Sequence, residues 1–394
     1  MRKVFPGSAR KGSAFSGLRG IIGRMTSISR LLSGIEGPND RLRYARSVHG
    51  RPVVVWNVTP ECNLACSHCY AAAGRGASDE LDTPEAKCVI DDLAAWKVPA
   101  LLFSGGEPFC RRDLRELAEY AKKKGLRVTF STNGTLIDED TAMWLARLGT
   151  GYVGVSIDGT ERVHDEFRGV EGAYAASLAG IRRLVAHGVK TGLRVTITRR
   201  NAADIPAVFR LMREENVPRI CLYHLVYSGR GEALAADDLS APERMAAMDA
   251  VISETERILS EGFRAEVLTV DNHCDGPYLY MKRPSGEMLR LLRMNGGNSS
   301  GQGIACISWD GTVYPDQFWR NHPVGNVRDR PFSEIWGDPP QESLLGMLRR
   351  RREFLKGRCR SCRWLDVCGG NFRARAEAAT GDIWGEDPSC YIQG

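Results

Sequence analysis

Long apolar runs are missing from this chain of 394 residues. None approaches the roughly 18–20 residues needed to cross a bilayer, so no membrane span is expected. The first stretch also lacks the continuous apolar segment of a secretory signal. Acidic residues are scarce there too: residues 1–51 hold eleven Lys/Arg against two Asp/Glu. The formal net charge of +6 therefore belongs to the arm, and the remainder is slightly acidic. A basic arm suits anionic lipid, nucleic acid or an acidic partner. Its Ser- and Gly-rich composition reads more simply as a solvated, partly ordered extension over residues 1–46, and no nucleic-acid partner is expected.

Twelve cysteines are present. In a short exported chain they would mean disulfides. Here the chain is long, no export signal is visible and seven cysteines fall into two metal-like groups, which points to a reducing cytoplasm. The first group, Cys62-x3-Cys66-x2-Cys69, follows the apolar run Val53–Trp56, which reads as a buried strand. Three thiolates can hold three irons of a [4Fe–4S] cluster and leave the fourth iron open to a ligand. A closed zinc site wants four ligands, and His68 between two of the cysteines has no ordinary ligand spacing. The second group, Cys359-x2-Cys362-x5-Cys368 with Cys390 after a further 21 residues, supplies four ligands. Its spacing alone leaves zinc and iron–sulfur both open. The other five cysteines (Cys88, Cys110, Cys221, Cys274 and Cys306) read as ordinary thiols.

From Val53 to about Val226, short β-branched runs alternate with amphipathic stretches. Strands are expected at Val53–Trp56, Ala100–Phe103, Arg127–Phe130, Tyr152–Ser156, Gly192–Thr198 and Arg219–Leu225. Helices are expected at Pro84–Trp96, Asp113–Lys124, Glu139–Leu148, Ala173–His187 and Ile205–Glu215. Thr83-Pro84 opens the first helix, and Gly125, Gly149 and Gly188 stand where helices should stop. Six βα repeats imply a parallel sheet with helices outside it, and chemistry at the carboxyl ends of the strands. Further on, Ala241–Gly262 reads as a helix and Arg264–Val270 as a strand. Asp310-Gly311 reads as a tight turn in a hairpin over Ile304–Pro315.

The triplet followed by Tyr70 resembles the signature of the radical SAM enzymes, which cleave S-adenosylmethionine (SAM) to a 5′-deoxyadenosyl radical. Ser104-Gly105-Gly106-Glu107-Pro108, whose Gly-Gly-Glu-Pro begins 36 residues after Cys69, is similar to the family loop that binds the SAM amino group. The resemblance implies that Glu107 accepts from the ammonium, and that Ser131, Asn133 and Ser156 contact the carboxylate or ribose. It also implies that Asp158 braces its loop, Arg168 pairs with the SAM carboxylate and Tyr70 lies beside the adenine. The fold implied is α/β, a partial (βα)6 radical SAM barrel over residues 47–235. A connecting, substrate-related region would cover 236–302, and a small SPASM-like iron–sulfur domain 303–394. The second cysteine group resembles the SPASM extension. Where a full extension carries further cysteines this chain has Asp316 and Phe372, which leaves Cys306 alone of that set. Two [4Fe–4S] clusters are therefore expected, the second fully ligated by Cys359, Cys362, Cys368 and Cys390.

Nearly the whole chain resembles the tetrapyrrole-modifying group of these enzymes, through runs such as Val267–His273, Asp275–Tyr280, Met294–Asn298 and Cys368–Arg373. The implied substrate is an iron tetrapyrrole, 12,18-didecarboxysirohaem, losing acetate side chains to give Fe-coproporphyrin III. The alternatives are propionate removal for haem d1, maturation of a ribosomal peptide, and an iron–sulfur electron carrier. A flavodoxin or ferredoxin is expected to supply electrons. His273, and after it His224, are candidates for an axial ligand to the substrate iron. Tyr227, Arg230, Gln317, Trp319 and Arg320 are candidates to line the pocket. A peptide-recognition domain before the barrel is not expected, because residues 1–51 are too short and too polar for one.

Overall fold

The computed structural model describes residues 25–35, 51–74 and 79–392. Eleven strands form one sheet there: β1 (Thr26–Ser27), β2 (Val53–Asn57), β3 (Leu101–Ser104), β4 (Val128–Thr132), β5 (Val153–Ser156), β6 (Thr191–Ile197), β7 (Arg219–His224), β8 (Glu266–Val270), β9 (Ile304–Ile307), β10 (Thr312–Tyr314) and β11 (Gly325–Asn326). From β2 to β8 neighbours pair in parallel and in chain order. This is the expected α/β barrel, with one strand more than six. Glu266–Val270, the strand expected at Arg264–Val270, pairs with β7 as the next parallel strand. At the other edge β9 runs parallel to β2, and β10 and β11 follow antiparallel. The hairpin of the auxiliary region thus continues the barrel sheet. Both additions pair the backbone groups of strands that would otherwise be sheet edges.

Local chemistry explains the outer helices. Asp82 and Glu85 form a reciprocal capping box at Thr83–Ala95, with proline in its first turn, and Ser240 and Glu243 do the same at Ala241–Ser260. Leu114, Leu117, Ala118 and Ala121 bury one face of the helix Leu114–Lys123. Alternate strand residues point outward into the layer beneath the helices, where Trp56, Phe103 and Phe130 stack in series with centroids 6.0 and 5.5 Å apart. The opposite alternation (Val55, Leu102, Ser131, Arg194, Tyr223) faces the barrel interior, where the cavities lie. Within the N-terminal arm, Thr26 and Ser27 pair antiparallel to β8, and Ile28 and Leu31 are buried behind it. That part of the arm is built into the fold. The rest of residues 1–46 lies outside the described residues, apart from Met25 and Leu32–Ile35.

Candidate active site

The loop leaving β2 brings Cys62, Cys66 and Cys69 onto one cavity at the carboxyl end of the strands. It is held by backbone bonds from Cys62 to Gly74 (3.1 Å), Ala65 to Arg168 (3.0 Å) and Ser67 to Phe167 (2.9 Å). Arg230 clamps it from above, donating to the carbonyls of Cys66 and Ala73, both at 2.7 Å. Burial pushes the Cys62 thiol up to about 12 and raises that of Cys66 as well. Free thiols here keep their protons, and ligation would replace each proton with iron. The Leu64 N–H and the Arg168 guanidinium already point at the sulfurs of Cys62 and Cys66, at 3.4 and 3.5 Å. Donors aimed at sulfur suit cluster thiolates. Among the described residues, no three His, Cys, Asp or Glu side chains converge on a single-ion site.

The cavity spans about 1070 Å³ including its open mouth, and Tyr70, Gly105, Gly106, Ser131, Asn133, Ser156 and Arg168 line it with the thiols. Gly106 is fixed by close approach: a Cβ there would stand 2.1 Å from the Glu61 carbonyl oxygen. The Tyr70 hydroxyl donates to Asn57 at 2.9 Å, and its ring meets Phe318 edge-on. Glu107 departs from expectation. Its carboxylate is fully buried and accepts from the Thr132 hydroxyl (2.7 Å) and the Asn133 N–H (2.7 Å). A third bond comes from the Phe109 N–H at 3.2 Å. Glu107 and Pro108 stand behind the cavity wall, so the loop offers the cavity the backbone of Gly105 and Gly106. Burial raises the Glu107 carboxyl to about 7. Asp158 is likewise fully buried, pairing with Arg168 at 2.5 Å and accepting from the Thr196 N–H at 2.9 Å. Arg168 is thus oriented by Asp158 on one side and by Cys66 on the other. His68, which spacing did not mark as a ligand, also lines the cavity, and burial lowers it to about 4, so it is neutral.

A second cavity, about 1020 Å³ with its open mouth counted, shares Val55, Leu102, Arg194, Tyr223 and Gln317 with the first. Its walls are largely apolar, with Val53, Ala100 and Phe372 among them. His273 faces it, and burial lowers the imidazole to about 3, keeping it neutral. Asp271 faces it too, in the left-handed region at φ +65°, with its carboxyl raised by burial to about 8. His224 reaches the first cavity but is bound to Asp275 at 2.9 Å. Gln317 lines both cavities, whereas three other candidates line neither. The Tyr227 hydroxyl donates to Asp238, and the Trp319 indole to Glu377. Arg320 stacks on Trp309 at 4.4 Å. Those contacts hold the three away from the cavities, and Arg230 spends two donors on the cysteine loop. Arg194, Tyr223 and Asp271 were not singled out by sequence reasoning. Their signal was the period-two alternation of β6, β7 and β8.

In the second cysteine group, Cys359 lies near Cys368 and Cys390. Burial raises the Cys359 thiol to about 11, and the Trp364 N–H points at the Cys362 sulfur at 3.4 Å. Cys274 was expected to be an ordinary thiol. It is buried here beside Cys368 and Cys390, and its proximity lowers the Cys390 thiol. The C-terminal segment is pinned independently of any metal. Asp387 and Arg375 form a fully buried pair at 2.8 Å, and Tyr391 donates to Asp275 at 2.6 Å.

Three thiols and a Gly-Gly loop on one cavity of a parallel α/β barrel define a radical SAM site, and family comparison agrees. The Radical SAM superfamily profile matches residues 56–212, and that of SPASM, an iron–sulfur cluster-binding domain, matches 299–363. The Fe-coproporphyrin III synthase of Methanosarcina barkeri is 52% identical over 390 residues, covering 93% of this chain and 98% of that protein. The pre-heme d1 synthase of Dinoroseobacter shibae is 42% identical, covering 87% and 86% respectively. The chain belongs to the radical SAM enzymes, which bind SAM and iron–sulfur clusters. In fold it resembles Streptococcus suis SuiB bound to its precursor peptide SuiA, with TM-score 0.71 at 17% identity over 91% of this chain and 82% of that one. No helix among the described residues is long and apolar enough to cross a membrane.

Proposed function

We propose that this enzyme removes acetate side chains from an iron tetrapyrrole, converting 12,18-didecarboxysirohaem to Fe-coproporphyrin III. The observation that carries the reading is the second cavity. It is an apolar space opening from the three-thiol cavity and faced by a neutral imidazole, that of His273. A flat macrocycle with a central iron needs that combination. Acetate removal is preferred to propionate removal because the relative named for Fe-coproporphyrin III is 52% identical and the one named for pre-heme d1 is 42%.

Cys62, Cys66 and Cys69 would hold one [4Fe–4S] cluster, and Cys359, Cys362, Cys368 and Cys390 a second. When bound, the first cluster and SAM supply a 5′-deoxyadenosyl radical, and the second cluster an electron path from a flavodoxin- or ferredoxin-type donor. The backbone of Gly105 and Gly106, with Ser131, Asn133 and Ser156, would hold SAM against the thiol loop beside Tyr70. Arg168, fixed by Asp158, presents a guanidinium to the SAM carboxylate. His273 would take the substrate iron from the far side. The enclosing walls exclude water from the reacting edge of the macrocycle.

Substrate-dependent SAM cleavage tests this reading. Under anaerobic reduction with dithionite, 5′-deoxyadenosine formation should rise well above its background rate when didecarboxysirohaem is added. An unchanged rate would remove the tetrapyrrole from consideration.

A further inference from the structure

Arg194 stands on the seam of the two cavities and lines both. The β6 run Leu193-Arg194-Val195-Thr196-Ile197 buries its apolar members in the helix-facing layer and turns Arg194 and Thr196 inward. Gly154 on the neighbouring strand leaves room for the arginine stem: a Cβ there would come within 2.6 Å of Arg194 Cδ. The guanidinium lies 4.5 Å over the Tyr223 ring. Among the described residues it has no carboxylate within ion-pair distance, although Asp271 faces the same cavity.

The other cavity arginines with assigned partners are used differently. Arg168 pairs with Asp158, Arg219 with Glu266, and Arg230 holds the cysteine loop. A guanidinium that faces a cavity without an anionic partner keeps its donors free for a ligand, and a carboxylate takes them with two parallel bonds. Arg168 and Arg230 both stand at the thiol loop, Arg168 3.5 Å from the Cys66 sulfur. Arg194 is the one shared with the apolar cavity.

We propose that Arg194 binds a peripheral carboxylate of the substrate and so holds one edge of the macrocycle against the SAM cavity. The proposal rests on the tetrapyrrole reading above and adds the group that sets orientation within it. Seated over the Tyr223 ring, the planar fork can meet a carboxylate with two bonds, a geometry the ammonium of lysine does not copy.

The test uses reconstituted holoenzyme of the wild type, Arg194→Gln and Arg194→Lys, each checked for wild-type cluster absorbance. Each is titrated anaerobically with didecarboxysirohaem and with its methyl esters, following the tetrapyrrole absorption band. SAM affinity is measured separately by equilibrium dialysis. Arg194→Gln should weaken binding of the acid about ten- to hundredfold, the range for a charged hydrogen bond. Binding of the ester and of SAM should hold, and Arg194→Lys should recover part of the loss. Equal weakening of acid and ester, or no weakening of either, overturns the proposal. So does a loss of SAM affinity with tetrapyrrole binding intact, which would assign Arg194 to the cofactor. A wild type that binds neither acid nor ester contradicts the tetrapyrrole reading itself, and the role of Arg194 falls with it.

Discussion

Replacing Glu107 separates a cofactor ligand from an internal strut. Its carboxylate is fully buried and takes three protein donors: the Thr132 hydroxyl, the Asn133 N–H and the Phe109 N–H. Glutamine keeps one acceptor oxygen, which can stay on the Asn133 N–H. The Thr132 hydroxyl can turn to accept from the new amide, but the Phe109 N–H is left facing a donor. One buried donor without a partner costs about 1–3 kcal/mol. Alanine orphans all three and should cost at least about 3 kcal/mol, with SAM binding lost as a consequence of the displaced loop. Acidity adds a second signature. The folded carboxyl is raised from 4.5 to about 7. The folded state therefore keeps a proton that the unfolded chain releases, and the associated stability is complete below the unfolded value. It is lost as pH rises through about 7, by up to roughly 3 kcal/mol. Glutamine never ionises, so the stability gap between wild type and Glu107→Gln should narrow from pH 5 to pH 8. Anaerobic guanidinium unfolding followed by tryptophan fluorescence measures the gap, and equilibrium dialysis measures SAM affinity. Glu107→Ala with wild-type stability but abolished SAM binding would refute the strut and return the carboxylate to the ammonium.

Three further outcomes follow from the two cysteine groups and their surroundings. The triple alanine variant of Cys62, Cys66 and Cys69 should keep about four of about eight irons per chain, counted after anaerobic reconstitution. Cys390→Ala should lower iron content while the C-terminal segment stays docked, because Asp387 and Tyr391 hold it without metal; protection of that segment in hydrogen exchange checks the second half. Asp387→Ala should cost about 3–5 kcal/mol in chemical unfolding, since it strands the fully buried Arg375. Arg375 holds the Asp387 carboxyl below its usual range. That stability is therefore present above the unfolded carboxylate range and lost as pH falls through the depressed value.

Much of the barrel was legible because its signals are local. β-branched runs, the proline-led start at Thr83 and the closing glycines lie within a few residues of the elements they specify. The sheet extensions were not legible in the same way. Whether Glu266–Val270 pairs with β7, or Ile304–Ile307 with β2, depends on partners tens to hundreds of residues away. The cysteine triplet announced itself by spacing, and its neighbours in the Gly-Gly loop by position after a strand. Position does not tell which way a side chain turns, and Glu107 turned inward. Trp319 and Tyr227 stand near strand ends, yet Trp319 packs into the core with its indole N–H on Glu377, and Tyr227 turns its hydroxyl to Asp238. Arg194 was visible in principle, as a lone charge at an inward position of an alternating strand. Cys274 was not, since its contact with Cys368 and Cys390 joins segments about a hundred residues apart.

The mass of the tetrapyrrole recovered after anaerobic turnover with SAM, dithionite and didecarboxysirohaem tests the central claim most directly. The account expects a product lacking both acetate side chains, at the mass of Fe-coproporphyrin III, and no such product from the triple cysteine variant. A product that has lost propionates, or substrate recovered intact while SAM is cleaved, would contradict it.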